Sequence, residues 1–179
     1  MTDKLIVDKR RFDQRRVINS PYWITSAEID PLDDGLSVTE TECYLLFSFP
    51  AVKYGTSIIL IQAMAFQVVE AFAGGTITID IGRCTILTDG LTDGDTITFV
   101  DENDLITNAV ITYGTPGIYH AGAGDYVSQA ASAINGADNT IVPADATVPC
   151  VTAYLTNDGT AYTTGKGRLH MLVTEIPYI

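Results

Sequence analysis

The chain has 179 residues, of which 46% are hydrophobic and 18% charged, and it carries a formal net charge of −12. That length supports one domain with a real core, and that composition excludes a disordered chain. Gln62, Gln67 and Glu70 break the longest apolar run, the first residues (Met-Thr-Asp-Lys) hold no apolar signal core, and three scattered cysteines make no Cys-x-x-Cys; we therefore expect no membrane span, no Sec signal, and neither a disulfide framework nor a zinc site, with Cys43, Cys84 and Cys150 as reduced, mostly buried thiols.

Residues 1–16 hold six of the ten basic side chains (Lys4, Lys9, Arg10, Arg11, Arg15 and Arg16) against Asp3, Asp8 and Asp13, a local charge of +3. The remaining residues sum to −15. Apolar residues in the first twenty show no clean period, so residues 1–20 read as an extended N-terminal arm and residues 21–179 as the folded domain. A basic arm on an acidic body can dock on its own body, on a neighbouring copy, or on a different acidic partner. Lys9, Arg10, Arg11, Phe12, Arg15 and Arg16 are its candidate contact residues. Nucleic acid is not the expected partner, because the acidic bulk repels phosphate and three acids interrupt the bases.

Pro21 pushes Ser20 toward extended geometry and opens the domain. Tyr22-Trp23-Ile24 is a short strand, and Asp30-Pro31-Leu32-Asp33-Asp34-Gly35 a turn. Cys43 to Phe49, nearly all apolar and stopped by Pro50, reads as a buried strand.

Ser57 to Gly82 is the longest structured stretch. Gly74 and Gly75 suit a two-residue hairpin turn, which would set Phe72 against Ile77, Glu70 against Ile79 and Val68 against Ile81. One face then carries Ile58, Leu60, Met64, Phe66, Val68, Phe72, Ile77, Ile79 and Ile81. The first of these strands would span roughly 50 Å if straight, so we expect a bend or bulge near Ala63–Ala65. Thr85–Leu87 and Thr96–Val100 are further strands, and residues 101–112 are ambiguous between a helical turn and a strand. Asp125 caps a possible short helix. Val148–Thr156 and Arg168–Ile176 alternate as strands, with a polar loop from Asn157 to Gly167 between them. The sum is an all-β chain: an antiparallel β-sandwich or jelly roll with an extended arm and at most one or two short helices.

No constellation spells out a chemistry. The acidic stretch Asp89–Asp104 fails the EF-hand pattern, since position three falls on Leu91 and position twelve on Val100. His120 and His170 belong to no paired ligand motif. No Gly-x-Ser-x-Gly is present. Glu70 is the one odd charge on an apolar face, and Asp80 falls on the opposite face, so the two do not form a glycosidase pair. Tyr113, Tyr119, Tyr126 and Tyr162 are loop aromatics that could stack on sugars or line an interface. We expect no enzyme activity, no cofactor and no metal.

Val68-Val69-Glu70-Ala71-Phe72 before the glycines, Thr76-Ile77-Thr78-Ile79-Asp80-Ile81-Gly82 after them, Thr115-Pro116-Gly117-Ile118-Tyr119, and Gly167-Arg168-Leu169 leading to Ile176-Pro177-Tyr178 together resemble the head decoration, or cement, proteins of tailed bacteriophages. The resemblance covers residues 57–178 as a pattern of strands and turns. It implies a jelly-roll-like domain, a homotrimer made in the host cytoplasm and seated on the outer capsid surface, and a non-enzymatic role bridging major capsid proteins. The arm would then contact the capsid or a sister subunit, and removing residues 1–18 should leave a folded domain that no longer loads on heads. Similar sandwiches on phage tails and fibres give the alternative expectation, a carbohydrate-binding tail or fibre component.

Overall fold

The structure, a computed structural model, describes residues 4–6, 20–32, 42–55, 57–87, 97–106, 113–120 and 140–177. Ten strands are defined in chain order: β1 Lys4–Ile6, β2 Tyr22–Thr25, β3 Glu42–Ser48, β4 Ser57–Ala73, β5 Ile77–Leu87, β6 Ile97–Ile106, β7 Gly117–His120, β8 Thr140–Ile141, β9 Thr147–Asn157 and β10 Thr164–Pro177. One short helix, α1 (Ala51–Tyr54), follows Pro50. The chain is all-β, as expected.

The strands form two sheets. Sheet I has the order β1-β3-β9-β5-β6; sheet II has the order β2-β10-β4-β7, with β8 also paired to β4. Apart from β1, which runs parallel to β3, every pairing among the described residues is antiparallel. The orders β2-β10-β4-β7 and β3-β9-β5-β6 are those of a jelly roll, in which the chain repeatedly crosses from one sheet to the other. The crossings are what close the core. Ile24, Ile59, Ile61, Met64, Phe66, Val68, Phe72, Leu169, Met171 and Val173 of sheet II pack in one cluster with Tyr44, Leu46, Ile77, Ile79, Ile81, Ile106, Val151, Ala153 and Leu155 of sheet I. Each large apolar side chain buried this way contributes about 2 kcal/mol.

The hairpin expected at Gly74-Gly75 is not formed. β4 pairs with β10, β7 and β8, whereas β5 pairs with β9 and β6, so the glycines carry the chain from one sheet to the other. Both patterns bury the same residues. In a hairpin Phe72 and Ile77 would stand side by side; here β4 and β5 face each other across the core. The glycines are needed for a different reason than a hairpin turn. Gly74 and Gly75 take φ values of 118° and 122°. A side chain on Gly74 would strike the Ala161 carbonyl, and one on Gly75 the Asp158 carboxylate. The crossing from β9 to β10 therefore lies directly against the crossing from β4 to β5. Thr163 N–H donates to the Ala73 carbonyl at 2.8 Å, and Thr76 N–H donates to Asp158 Oδ2 at 3.0 Å. That bond, with those from Thr160, holds the Asp158 carboxyl below the ordinary range.

The long strand does bulge, one residue before the expected place. Leu172 pairs with Ala63 and Val173 with Ile61, leaving Gln62 as the extra residue. The insertion flips the alternation. Ile59 and Ile61 are thus the buried residues, and Ile58 and Leu60, expected inside, are only half-buried. A second register shift, between Lys166 and Gly167, leaves Val69 unpaired and turns Glu70 to solvent.

The remaining differences are of extent. Thr85–Leu87 is the end of β5 rather than a strand of its own, and the ambiguous segment is strand as far as Ile106. β10 begins at Thr164, which shortens the loop expected from Asn157 to Gly167. Its first inward positions are glycines because aromatic rings occupy the space: a Cβ on Gly165 would meet Phe72, and one on Gly167 would meet Phe66. The helix expected at Asp125 lies outside the described residues.

Candidate functional site: the outer face of sheet II

The two sheets differ on the sides turned away from the core. On sheet I, strict alternation places Cys43 on β3, Cys84 and Ile86 on β5, and Val148, Cys150 and Thr152 on β9 on the outer side, and all of them are buried. Five of these form a second apolar cluster, with Leu45 and Tyr154 against it. Sheet II turns a polar, charged face to solvent.

That face is ordered by register. β10 reads Lys166-Gly-Arg168-Leu-His170, and its period of two puts the three basic or ionisable side chains on one side. Two acids from the segment after β2 meet them. Arg168 donates to Glu28 Oε2 through Nη2 at 2.8 Å and through Nε at 3.2 Å. Lys166 Nζ lies 2.8 Å from Asp30 Oδ2 and 3.9 Å from Glu28 Oε1. The hydrogen bond to Asp30, aided by that carboxylate's charge and those of Glu28 and Glu70, holds the Lys166 ammonium above its ordinary range. Glu28 and Asp30 are brought here because Ile29 is buried and exchanges backbone hydrogen bonds with Gly167.

One step along β10, His170 bridges its neighbours. Its Nε2 lies 3.0 Å from Gln67 Oε1 and its Nδ1 lies 3.0 Å from Thr25 Oγ1. With Gln67 Oε1 as acceptor, the neutral ring carries its proton on Nε2 and accepts the Thr25 hydroxyl proton at Nδ1. Burial, then the Arg168 charge, push the imidazole below its ordinary range, which favours that neutral ring. Apolar side chains stand at both margins: Trp23 on β2 is 56% exposed and Ile118 on β7 is 58% exposed. A largely self-neutralised polar centre flanked by exposed apolar residues suits contact with another protein surface.

The six arm residues Lys9, Arg10, Arg11, Phe12, Arg15 and Arg16 lie outside the described residues. Of the segment expected to be an arm, Lys4–Ile6 is strand, paired Lys4 to Glu42, Leu5 to Cys43 and Ile6 to Tyr44. Glu70, expected on the apolar face, is exposed beside Lys166. Asp80 lies on the outer side of sheet I opposite Tyr154, so the two carboxylates stand on opposite outer faces of the sandwich. His120 and His170, unrelated in sequence, share one row of sheet II with Ala65 between them. The described tyrosines are placed by the core. Tyr162 is in the core, Tyr113 and Tyr119 pack against it, and the Tyr119 hydroxyl donates to the Thr115 carbonyl at 2.7 Å; Tyr126 is outside the described residues. Residues 89–96 of the acidic stretch are likewise outside. Among the described residues no three His, Cys, Asp or Glu side chains gather as metal ligands, and no helix is long and apolar enough to cross a membrane.

Sequence reading missed Glu28 and Asp30, because their basic partners lie about 140 residues away. It also missed Glu175, fully buried and accepting the Ser57 hydroxyl at 3.0 Å. The alternation Lys166-x-Arg168-x-His170 was the signal available for the charged face.

No family model matches the chain, and no curated protein matches it. A solved phage capsid chain does. It comes from the structure described as the capsid of Ralstonia phage GP4, and it aligns at a TM-score of 0.50 and 16% identity over 95% of this chain and 97% of that one. The likeness is one of fold, and it runs end to end.

Proposed function

We propose that the chain is a non-enzymatic structural protein of a tailed-phage virion, specifically a decoration or cement protein on the outer capsid surface. The observation that carries this reading is the alignment of the whole jelly roll, with almost no unmatched chain on either side, to a chain of a phage capsid. The solvent-facing side of sheet II supports it, since its charges are arranged for surface contact rather than for converging on a reacting atom. In this role the protein is made in the host cytoplasm, assembles as a homotrimer, and bridges major capsid proteins. Each copy adds binding free energy only in the assembled shell.

The N-terminal segment supplies the contact in this reading, Lys9, Arg10, Arg11, Arg15 and Arg16 meeting acidic surface on the capsid or a sister subunit and Phe12 packing beside them. Because Lys4–Ile6 is part of sheet I, substitution is a cleaner probe than removal of residues 1–18. Purified protein is mixed with heads that lack it and co-sedimentation is measured. We expect Arg10, Arg11, Arg15 and Arg16 changed together to alanine to lower loading by at least about tenfold, with the unsubstituted protein losing loading as salt is raised. Full loading by the substituted protein defeats the arm's role, and failure of the unsubstituted protein to bind any head defeats the reading itself. Sedimentation equilibrium tests the trimer.

A further inference from the structure

We propose that Cys84 and Cys150 are an oxidisable pair that closes into a disulfide between β5 and β9, stapling the centre of sheet I. The inference concerns the fold and does not rest on the virion reading. The two residues are direct partners in the antiparallel register of β5 and β9. Directly opposed residues in such a pair have Cα atoms about 4.5 or 5.5 Å apart, depending on the hydrogen-bonding phase. Both distances fall inside the range a disulfide spans. The side chains leave the sheet on the same side and meet in one buried cluster. All three cysteines are free thiols in this structure.

Cys43 is the internal contrast. It belongs to the same cluster, but its register partner on β9 is Tyr154, and Thr152 stands in the row between Tyr154 and Cys150. It is therefore two rows from Cys150 along β9.

The two thiols are hydrogen-bonded to each other, which favours loss of a proton from one of them against burial, which opposes it. With a diazene oxidant such as diamide, that thiolate adds to one nitrogen of the N=N bond and the other nitrogen takes a proton. The second thiol, giving up its proton, then attacks the first sulfur; the S–S bond forms, the S–N bond breaks, and the hydrazine departs carrying two electrons and two protons. Each of the two residues is 1% exposed, so the reaction waits on local opening of this face. The closed bond ties together strands separated by a long stretch of chain and so restricts the unfolded state.

The test uses the full chain, purified under reductant and then freed of it. The protein is held with diamide, blocked with N-ethylmaleimide in denaturant, and mapped by mass spectrometry without reduction. We expect the peptides of Cys84 and Cys150 to appear as one cross-linked species within a single chain, with Cys43 carrying the maleimide. The oxidised protein should melt several degrees above the reduced one, and dithiothreitol should reverse the shift. Cys43→Ser should keep the shift and Cys150→Ser should lose it. Three maleimide-labelled cysteines after exposure just below the melting temperature, or a bond that uses Cys43 or links two chains, would overturn the pairing. A bond that forms but lowers the melting temperature would overturn the stapling. Because the mapping is read on the unsubstituted chain, poor folding of a variant leaves the test standing.

Discussion

The outer sides of the two sheets are built from the same alternating pattern and end in opposite states. On sheet I the outward residues include Cys43, Cys84, Ile86, Val148 and Cys150, and these are buried. On sheet II they include Gln67, Lys166, Arg168 and His170, and they meet solvent and one another. A strand's period of two tells only that two sides exist. The chemistry of the second side tells whether it is a second core or a surface. Around the cysteines sheet I is therefore apolar on both sides, whereas the outer side of sheet II meets solvent.

The sharpest way to break this contrast is to place a charge on each outer side. Ile86→Asp puts a carboxylate into a fully buried apolar cluster, and we expect a loss of about 4 kcal/mol or outright failure to fold, read by denaturant unfolding. Ile118→Asp on the exposed margin of sheet II should cost under about 1 kcal/mol. Equal losses would mean that the outer side of sheet II depends on burial as heavily as that of sheet I.

A smaller effect separates the two sides of sheet II itself. Gly167→Ala adds a methyl group on the inward side where the Phe66 ring already lies. Overpacking of this kind costs about 1–3 kcal/mol. Pairing it with Phe66→Leu should return part of the loss, since the smaller side chain vacates the space; a double mutant no better than the sum of the singles would show the two do not compete.

The smallest expected effect is in pH. Because His170 is held below its ordinary value near 6.5, the folded protein takes up the proton less readily than the unfolded chain does. The stability this provides is fully present above about pH 6.5 and is lost as pH falls from there toward the depressed folded value. His170→Gln should flatten that part of the melting-temperature profile. An unchanged slope would assign it to other groups.

Much of this architecture could be read from residues alone. Alternation at Ile77-Thr-Ile-Asp-Ile and at Leu169-His-Met-Leu-Val located strands, and Gly and Pro punctuation located their ends. The partner of each strand was not legible. Phe72 and Ile77 are buried alike whether the glycines between them make a hairpin or a crossing, so periodicity cannot choose. Bulges were legible only as a need: the length of β4 demanded one, but its position at Gln62 is set by Leu172 and Val173, more than a hundred residues away. Distance along the chain likewise hid the meeting of Arg168 with Glu28 and of Cys84 with Cys150. Of the charged face, only the Lys-x-Arg-x-His run was local enough to see.

The place of β10 in sheet II has a consequence for biogenesis. It lies between β2 and β4, two strands that do not touch each other, and it leaves the ribosome after both. Until it arrives, β4 lacks its neighbour on that side and offers a long open edge to any strand nearby. This domain must therefore complete its second layer after translation has passed residue 177, slowly by the standards of helical proteins of its size. A chaperone that shields β4 during that interval should raise the yield of native protein more than one that acts at the start of synthesis.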